Sequence, residues 1–145
     1  MKCELLQLDH LPEVITLLSF LNPNVGEEEL RKRCDTILSG HGNYELMGAW
    51  LDGRLVGVSG LWHGTKLWCG SYLEVDNLVV HPEHQGQGVG TALLRALEAL
   101  ARQRDCNIMV LDSYTNNHGS HRLYHRLGFE IWGFHFIKPL RDFPH

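Results

Sequence analysis

The stretch Glu74-Val-Asp-Asn-Leu-Val-Val-His-Pro-Glu-His-Gln-Gly-Gln-Gly-Val-Gly-Thr-Ala-Leu-Leu-Arg-Ala-Leu-Glu-Ala-Leu-Ala101 decides how the rest of the chain is read. An apolar run stops at His81-Pro82, a short polar link follows, Gly86, Gly88 and Gly90 come at alternate positions, and apolar residues then recur at helical spacing. The order is strand, glycine loop, helix. Glycines allow backbone conformations that a Cβ forbids, so several N–H groups can converge on one point beside the positive end of the helix dipole. Such a turn suits a phosphate.

Two common phosphate loops fail on spacing. A dinucleotide fingerprint needs Gly-x-Gly-x-x-Gly, and after Gly86 and Gly88 the third position holds Thr91. A P-loop needs Gly-Lys-Ser/Thr, whereas no lysine occurs between Lys66 and Lys138.

What remains is Gln85-x-x-Gly88-x-Gly90, preceded by Val79-Val80-His81-Pro82. It resembles the pyrophosphate loop of the GCN5-related N-acetyltransferase (GNAT) superfamily, which follows that family's fourth strand. A second stretch, Asn117-x-x-Ser120-x-x-Leu123-Tyr124-x-x-x-Gly128-Phe129, is similar to the family's later cofactor-facing helix. The resemblance covers residues 72–130 by motif and the first 70 residues by pattern only. It implies a mixed α/β fold of one domain over residues 1–145, with splayed fourth and fifth strands and about four flanking helices.

Length and charge agree with that class. One domain with a full core is expected from 145 residues. A net charge of −4, with the arginines interleaved among acids and apolar positions, leaves no footprint for nucleic acid. No apolar run reaches the roughly 18 residues of a membrane span, and Met1-Lys2-Cys3-Glu4 does not begin a secretory signal. A soluble cytoplasmic protein without a membrane partner is the expectation. Cys3, Cys34, Cys69 and Cys106 are widely spaced and read as free thiols.

Along the chain, residues 2–8 read as a strand and Asp9 as the cap of a first helix bearing Leu11, Val14, Ile15, Leu17, Leu18 and Leu21. A second helix spans 27–39, closed by Gly40-His41-Gly42. Residues 44–51 and 55–62, joined at Asp52-Gly53, read as a hairpin, and 66–70 as a short continuation or loop edge. The central strand is 71–80, the third helix 88–104, the next strand 107–114 and the last helix 117–127, with Gly128 as its cap. Residues 130–140 read as a final strand region.

The resemblance assigns roles to particular residues. Gln85, Gly86, Gln87, Gly88, Val89, Gly90 and Thr91 would take the pyrophosphate of acetyl-CoA. The backbone of Leu78, Val79 and Val80, beside a bulge, would bond the pantetheine arm and present an N–H to the thioester oxygen, while Asn117 and Ser120 face the cofactor. Tyr124 is the candidate acid for the leaving thiolate. Glu74 is the candidate base. Asp76, two residues on and so on the same face, would anchor a cationic acceptor or serve as base itself.

His118, His121 and His125 share a helix, but a third ligand is not evident and no metal is expected. Trp62, Trp68 and Phe134 are candidates for the acceptor pocket or a dimer contact. The activity implied is direct transfer of an acetyl group to a primary amine, with a small molecule as acceptor. A non-catalytic acyl-CoA sensor and a protein N-acetyltransferase are the alternatives. Dimers are common in the family, so a homodimer is one arrangement the resemblance allows.

Overall fold

Apolar alternation on either side of Asp52-Gly53 builds the centre of the molecule. In the computed structural model, which describes residues 1–40 and 42–142, β2 (Tyr44–Leu51) turns into β3 (Arg54–Lys66) through those two residues, both at positive φ (50° and 77°). That is the two-residue turn whose twist matches antiparallel strands. β1 (Lys2–Leu5) pairs antiparallel with β2, and β3 turns through 67–69 into β4 (Gly70–Val80), again antiparallel. α3 (Val89–Gln103) then crosses over and returns the chain as β5 (Ile108–Leu111), parallel to β4. The sheet order is β1-β2-β3-β4-β5.

Both faces are covered, unequally. α3 buries Val89, Leu93, Leu94, Leu97 and Ala101 against Met47, Ala49, Val56, Leu61, Leu73 and Val75, and α4 (His118–Arg126) adds Leu123 and Tyr124 at the margin. Gly57 permits the close approach, since a Cβ there would stand 2.8 Å from Val89 Cγ1 and 3.3 Å from the Val79 carbonyl oxygen. On the other face α1 (Leu11–Leu21) and α2 (Glu27–Leu38) pack Val14, Ile15, Leu17, Leu18 and Leu30 against Leu46, Leu55, Val58 and Val79. Arg104, just past α3, donates to both carboxylate oxygens of Glu45 on β2 (2.6 and 3.0 Å).

Several expectations are corrected. α1 begins at Leu11 behind a 3-10 turn at Leu8–His10, and no side chain caps it, so Asp9 is not its cap. β3 runs on to Lys66, because 62–66 find ladder partners across the second hairpin. β5 is four residues where eight were expected, since its pairing with β4 ends at Val75↔Leu111. Residues 130–140 form no strand. They have strand composition, but a strand exists only through a ladder partner, and none is present among the described residues. His41, read as part of the α2 stop, lies outside the described residues. The four cysteines are free and half-buried. Among the described residues no helix is long and apolar enough to cross a membrane.

Candidate active site

The site is built on β4, and it turns on a single extra residue. Val58 pairs with Val79 but Gly60 pairs with Asp76, so β4 carries one residue more than β3 across this step. Asn77 is that residue, held at φ 57°, a left-handed conformation that asparagine tolerates better than most. Side-chain parity flips there. Leu73 and Val75 face α3 before it, Leu78 and Val80 face α3 after it, and Val79 turns to α1.

The same step ends the pairing to β5. Beyond Val75 the ladder stops, so the edge of residues 76–80 that faces β5 has no strand beside it among the described residues. Peptide groups left unbonded in this way need an outside partner. The gap expected between the fourth and fifth strands is therefore present, alongside Leu78, Val79 and Val80.

At the end of β4 the chain makes a 3-10 turn over Pro82–His84, with His81 Nδ1 accepting from the Glu83 N–H (3.1 Å). Gly86 and Gly88 follow at φ 77° and 83°, and Gly88 is the residue immediately before α3. A Cβ at either would meet open space, so it is their φ, not crowding, that asks for glycine. Gly90 differs from the expectation: its φ is not positive, and a Cβ there would make ordinary contact with Leu123 and Val80. Gln85, Gly86, Gln87 and Gly88 are exposed, Val89 is buried beneath them, and Thr91 sits half-buried in the first helical turn. Among the described residues no backbone acceptor is found for the N–H groups of 86–88, and α3 has no side-chain cap. Free donors at a helix start are what an anionic group requires.

Glu74 and Asp76 lie on one face, as alternation predicts, half-buried on the side of α1 and α2. Burial, then the nearby Asp112 carboxylate, push the Glu74 carboxyl above its ordinary range, with Asp76 adding a smaller push and Lys66 and His135 opposing. Asp76 Oδ2 accepts from Trp62 Nε1 (2.9 Å), so this carboxylate is oriented by the indole.

Two neighbours escaped sequence reasoning. The Tyr44 ring lies across Gly60, where any Cβ would overlap its hydroxyl, and it stands 4.6 Å from the Trp62 ring. Its hydroxyl accepts from Asn77 Nδ2 (3.2 Å), and burial raises its pKa to about 12. Asparagine in mid-strand was the one available signal, because strands disfavour it. Tyr72 completes the wall, lying against Gly64 with Lys66 Nζ 4.7 Å from its ring centre.

α4 supplies the last group. Tyr124 is half-buried at the edge of the α3-side core, its ring edge-on to Phe129 at 6.0 Å. Burial raises its pKa above the ordinary tyrosine value, with a hydrogen bond to Ser120 working the other way. Gly128, at φ 92°, ends the helix as expected. Asn117 stands exposed at the head of α4 and its side chain does not cap the helix. His121 Nε2 lies 2.8 Å from the Tyr114 carbonyl oxygen and 3.1 Å from Ser113 Oγ, which ties α4 to the loop after β5. Among the described residues no three His, Cys, Asp or Glu side chains are grouped to hold a metal ion.

The sequence has relatives of known name, and the fold has solved counterparts. The chain is similar to an aminoalkylphosphonate N-acetyltransferase of Salmonella typhimurium (32% identical, 61% of this chain and 58% of that one). It is also similar to a GCN5-like protein acetyltransferase of Mycobacterium tuberculosis (40% identical, 50% and 36%). Matches span between 31% and 62% of the length of such curated relatives. Among solved structures, a ribosomal-protein-alanine N-acetyltransferase from Brucella melitensis superposes with TM-score 0.81 (23% identical, 97% of this chain and 100% of that one), a likeness of fold. So does AAC(6')-Iy in complex with a CoA-containing bisubstrate analogue, with TM-score 0.82 (19% identical, 97% and 98%). The model of the acetyltransferase (GNAT) family matches residues 11–129, most of the chain, and the chain belongs to that family.

Proposed function

We propose that residues 1–145 form an N-acetyltransferase domain that moves an acetyl group from acetyl-CoA to a small-molecule primary amine, in the cytoplasm, by direct attack within a ternary complex. The observation that carries this is the parting of β4 from β5 after Val75. It sets a free strand edge between a ring of unbonded amides at the head of α3 and a half-buried tyrosine.

Each residue then has a task. The N–H groups of 86–91 hold the diphosphate, with the Gln85 and Gln87 side chains at the rim and the Thr91 hydroxyl in the first turn. The main chain of Leu78, Val79 and Val80 bonds the pantetheine arm as a neighbouring strand would, and Asn117 and Ser120 approach it from α4. Glu74 takes a proton from the acceptor's ammonium, directly or through one water, and its raised pKa makes it the stronger base. The freed amine attacks the thioester carbonyl while a main-chain N–H of 78–80 donates to the carbonyl oxygen. As the C–S bond breaks, Tyr124 gives its proton to the thiolate, its raised pKa having kept that proton in place until then, and the proton the nitrogen sheds on becoming an amide returns to the tyrosinate through water. Asp76, fixed by Trp62, draws the cationic acceptor in.

The acceptor face supports a cation, since carboxylates among aromatic rings favour one. Relatives point the same way: one is a spermine/spermidine N(1)-acetyltransferase of Bacillus subtilis (30% identical, 62% of each chain). A protein amine is the second reading, favoured by the named activity of the Mycobacterium tuberculosis relative. The test is a thiol-release assay with acetyl-CoA over a panel of polyamines, amino sugars and N-terminal peptides, beside Tyr124→Phe and Glu74→Gln. Coenzyme A binding without turnover on any amine would overturn the proposal. Turnover on peptides alone would select the second reading.

A further inference from the structure

Lys66 puts a positive charge on the face to which the proposed function assigns the acceptor. It pairs with Gly70 across the second hairpin, as Gly64 pairs with Tyr72 and Trp62 with Glu74. Residues two apart on a strand share a face, so Trp62, Gly64 and Lys66 stand beside Tyr72, Glu74 and Asp76. Gly64 leaves the space that the Tyr72 ring fills, since a Cβ there would stand 3.2 Å from the Tyr72 hydroxyl. The ring in turn carries the half-buried Lys66, whose Nζ lies 4.7 Å from its centre.

That ammonium has no carboxylate partner. Among the described residues the lysine that forms an ion pair is Lys2, with Glu4, and Lys66 forms none. The other acids near Glu74 are held elsewhere: Asp76 Oδ2 accepts from Trp62 Nε1 (2.9 Å), and Asp112 Oδ2 lies 3.2 Å from His135 Nδ1. Glu74 is left, and Lys66 is near enough to pull its carboxyl downward without pairing with it. An aromatic face supports an ammonium weakly where water still reaches it, and a half-buried charge gains more from a full counter-charge. The face therefore ends in two unfilled charges of opposite sign, a carboxylate at Glu74 and an ammonium over Tyr72, roughly 7 Å apart along the strand.

We infer that Lys66 reads an anionic group on the acceptor, so that the substrate is a primary amine bearing a carboxylate, phosphonate or phosphate a few carbon atoms from its nitrogen. This rests on the reading of the face as the acceptor site and narrows what the site takes. The ammonium of such a molecule meets Glu74, its anion meets the Lys66 Nζ in a charge-assisted bond, and its aliphatic spacer lies over the Tyr72 ring between them. A second ammonium in place of the anion would face Lys66 and be repelled. An uncharged tail would leave the lysine unfilled. Lys66 therefore sorts amines by what they carry at the far end, by attraction for one class and repulsion against another.

The test compares amines of similar length in the thiol-release assay, γ-aminobutyrate and aminopropylphosphonate against butylamine and putrescine. The two anionic amines should have kcat/KM higher by about tenfold or more, with the difference in KM, because the contact to Lys66 is made equally before and during the reaction. Lys66→Met should erase that preference, Lys66→Arg should keep it, and Lys66→Glu should reverse it in favour of putrescine. A lysine that merely braced the hairpin would, when replaced, slow all four substrates alike. Calorimetric titration of γ-aminobutyrate into the chain saturated with coenzyme A reads binding without turnover, and Lys66→Met should weaken it by about tenfold. Equal or reversed preference in the unaltered chain overturns the inference, as does a preference that survives Lys66→Met, or no binding of either anionic amine. Binding through Lys66 with no turnover on any amine would instead sink the acetyl-transfer proposal and leave this one standing.

Discussion

The two halves of β4 have the same neighbours in sequence and opposite situations in space. Residues 72–75 are bonded on both sides, to β3 and to β5, and present Leu73 and Val75 to the core. Residues 76–80 are bonded on one side, to β3, and leave the other edge open. Asn77 stands at the boundary. The first half holds the protein together, and the second half is the edge to which the proposed function assigns the cofactor, because a backbone already satisfied has nothing to offer a ligand.

That contrast can be broken at several points. The largest effect is expected at Glu74, the last ionisable residue of the doubly bonded half: Glu74→Gln should lower kcat/KM by roughly 10³ with little change in melting temperature. Tyr124→Phe, across the gap, should lower it by about 10² and leave coenzyme A affinity intact, as titration calorimetry would show. Substituting the boundary itself affects both halves. Asn77→Val puts a β-branched residue at positive φ and removes the bond to Tyr44, so stability should fall by about 2–3 kcal/mol, read by denaturant melts, and activity with it. Gly60→Ala displaces the Tyr44 ring and should cost about 1–3 kcal/mol, with the larger change in the acceptor KM.

The smallest effect is a shift in pH dependence. The Glu74 carboxyl is raised by burial and then by Asp112, so the base is protonated, and activity lost, at a higher pH than an ordinary glutamate would give. Asp112→Asn removes one raising charge. The acidic limb of the kcat/KM profile should therefore move to lower pH, whereas Lys66→Met, which removes a lowering charge, should move it up.

Much of this was legible in the residues. Gly86 and Gly88 announce a turn that needs positive φ, Asp52-Gly53 announces a hairpin, and the apolar period of 89–101 announces α3. The bulge was placed by resemblance alone, because a ladder that slips by one residue is a main-chain event and Asn77 is its only written trace. Tyr44 was missed because its bond to Asn77 spans 33 positions, and nothing local marks a ring that will lie across Gly60. Residues 130–140 mislead in the other direction. Their composition is that of a strand, but composition cannot supply the ladder partner that a strand requires.

The uncapped head of α3 has a consequence for the protein's life outside the reaction cycle. If the N–H groups of 86–88 take a diphosphate as proposed, that ligand, binding only the native fold, stabilises it by mass action, about 2.7 kcal/mol at a hundred times its dissociation constant. Resistance to heat and to proteases should then follow the supply of thioester, so that the amount of intact protein, and not merely its rate, keeps pace with the acyl pool around it.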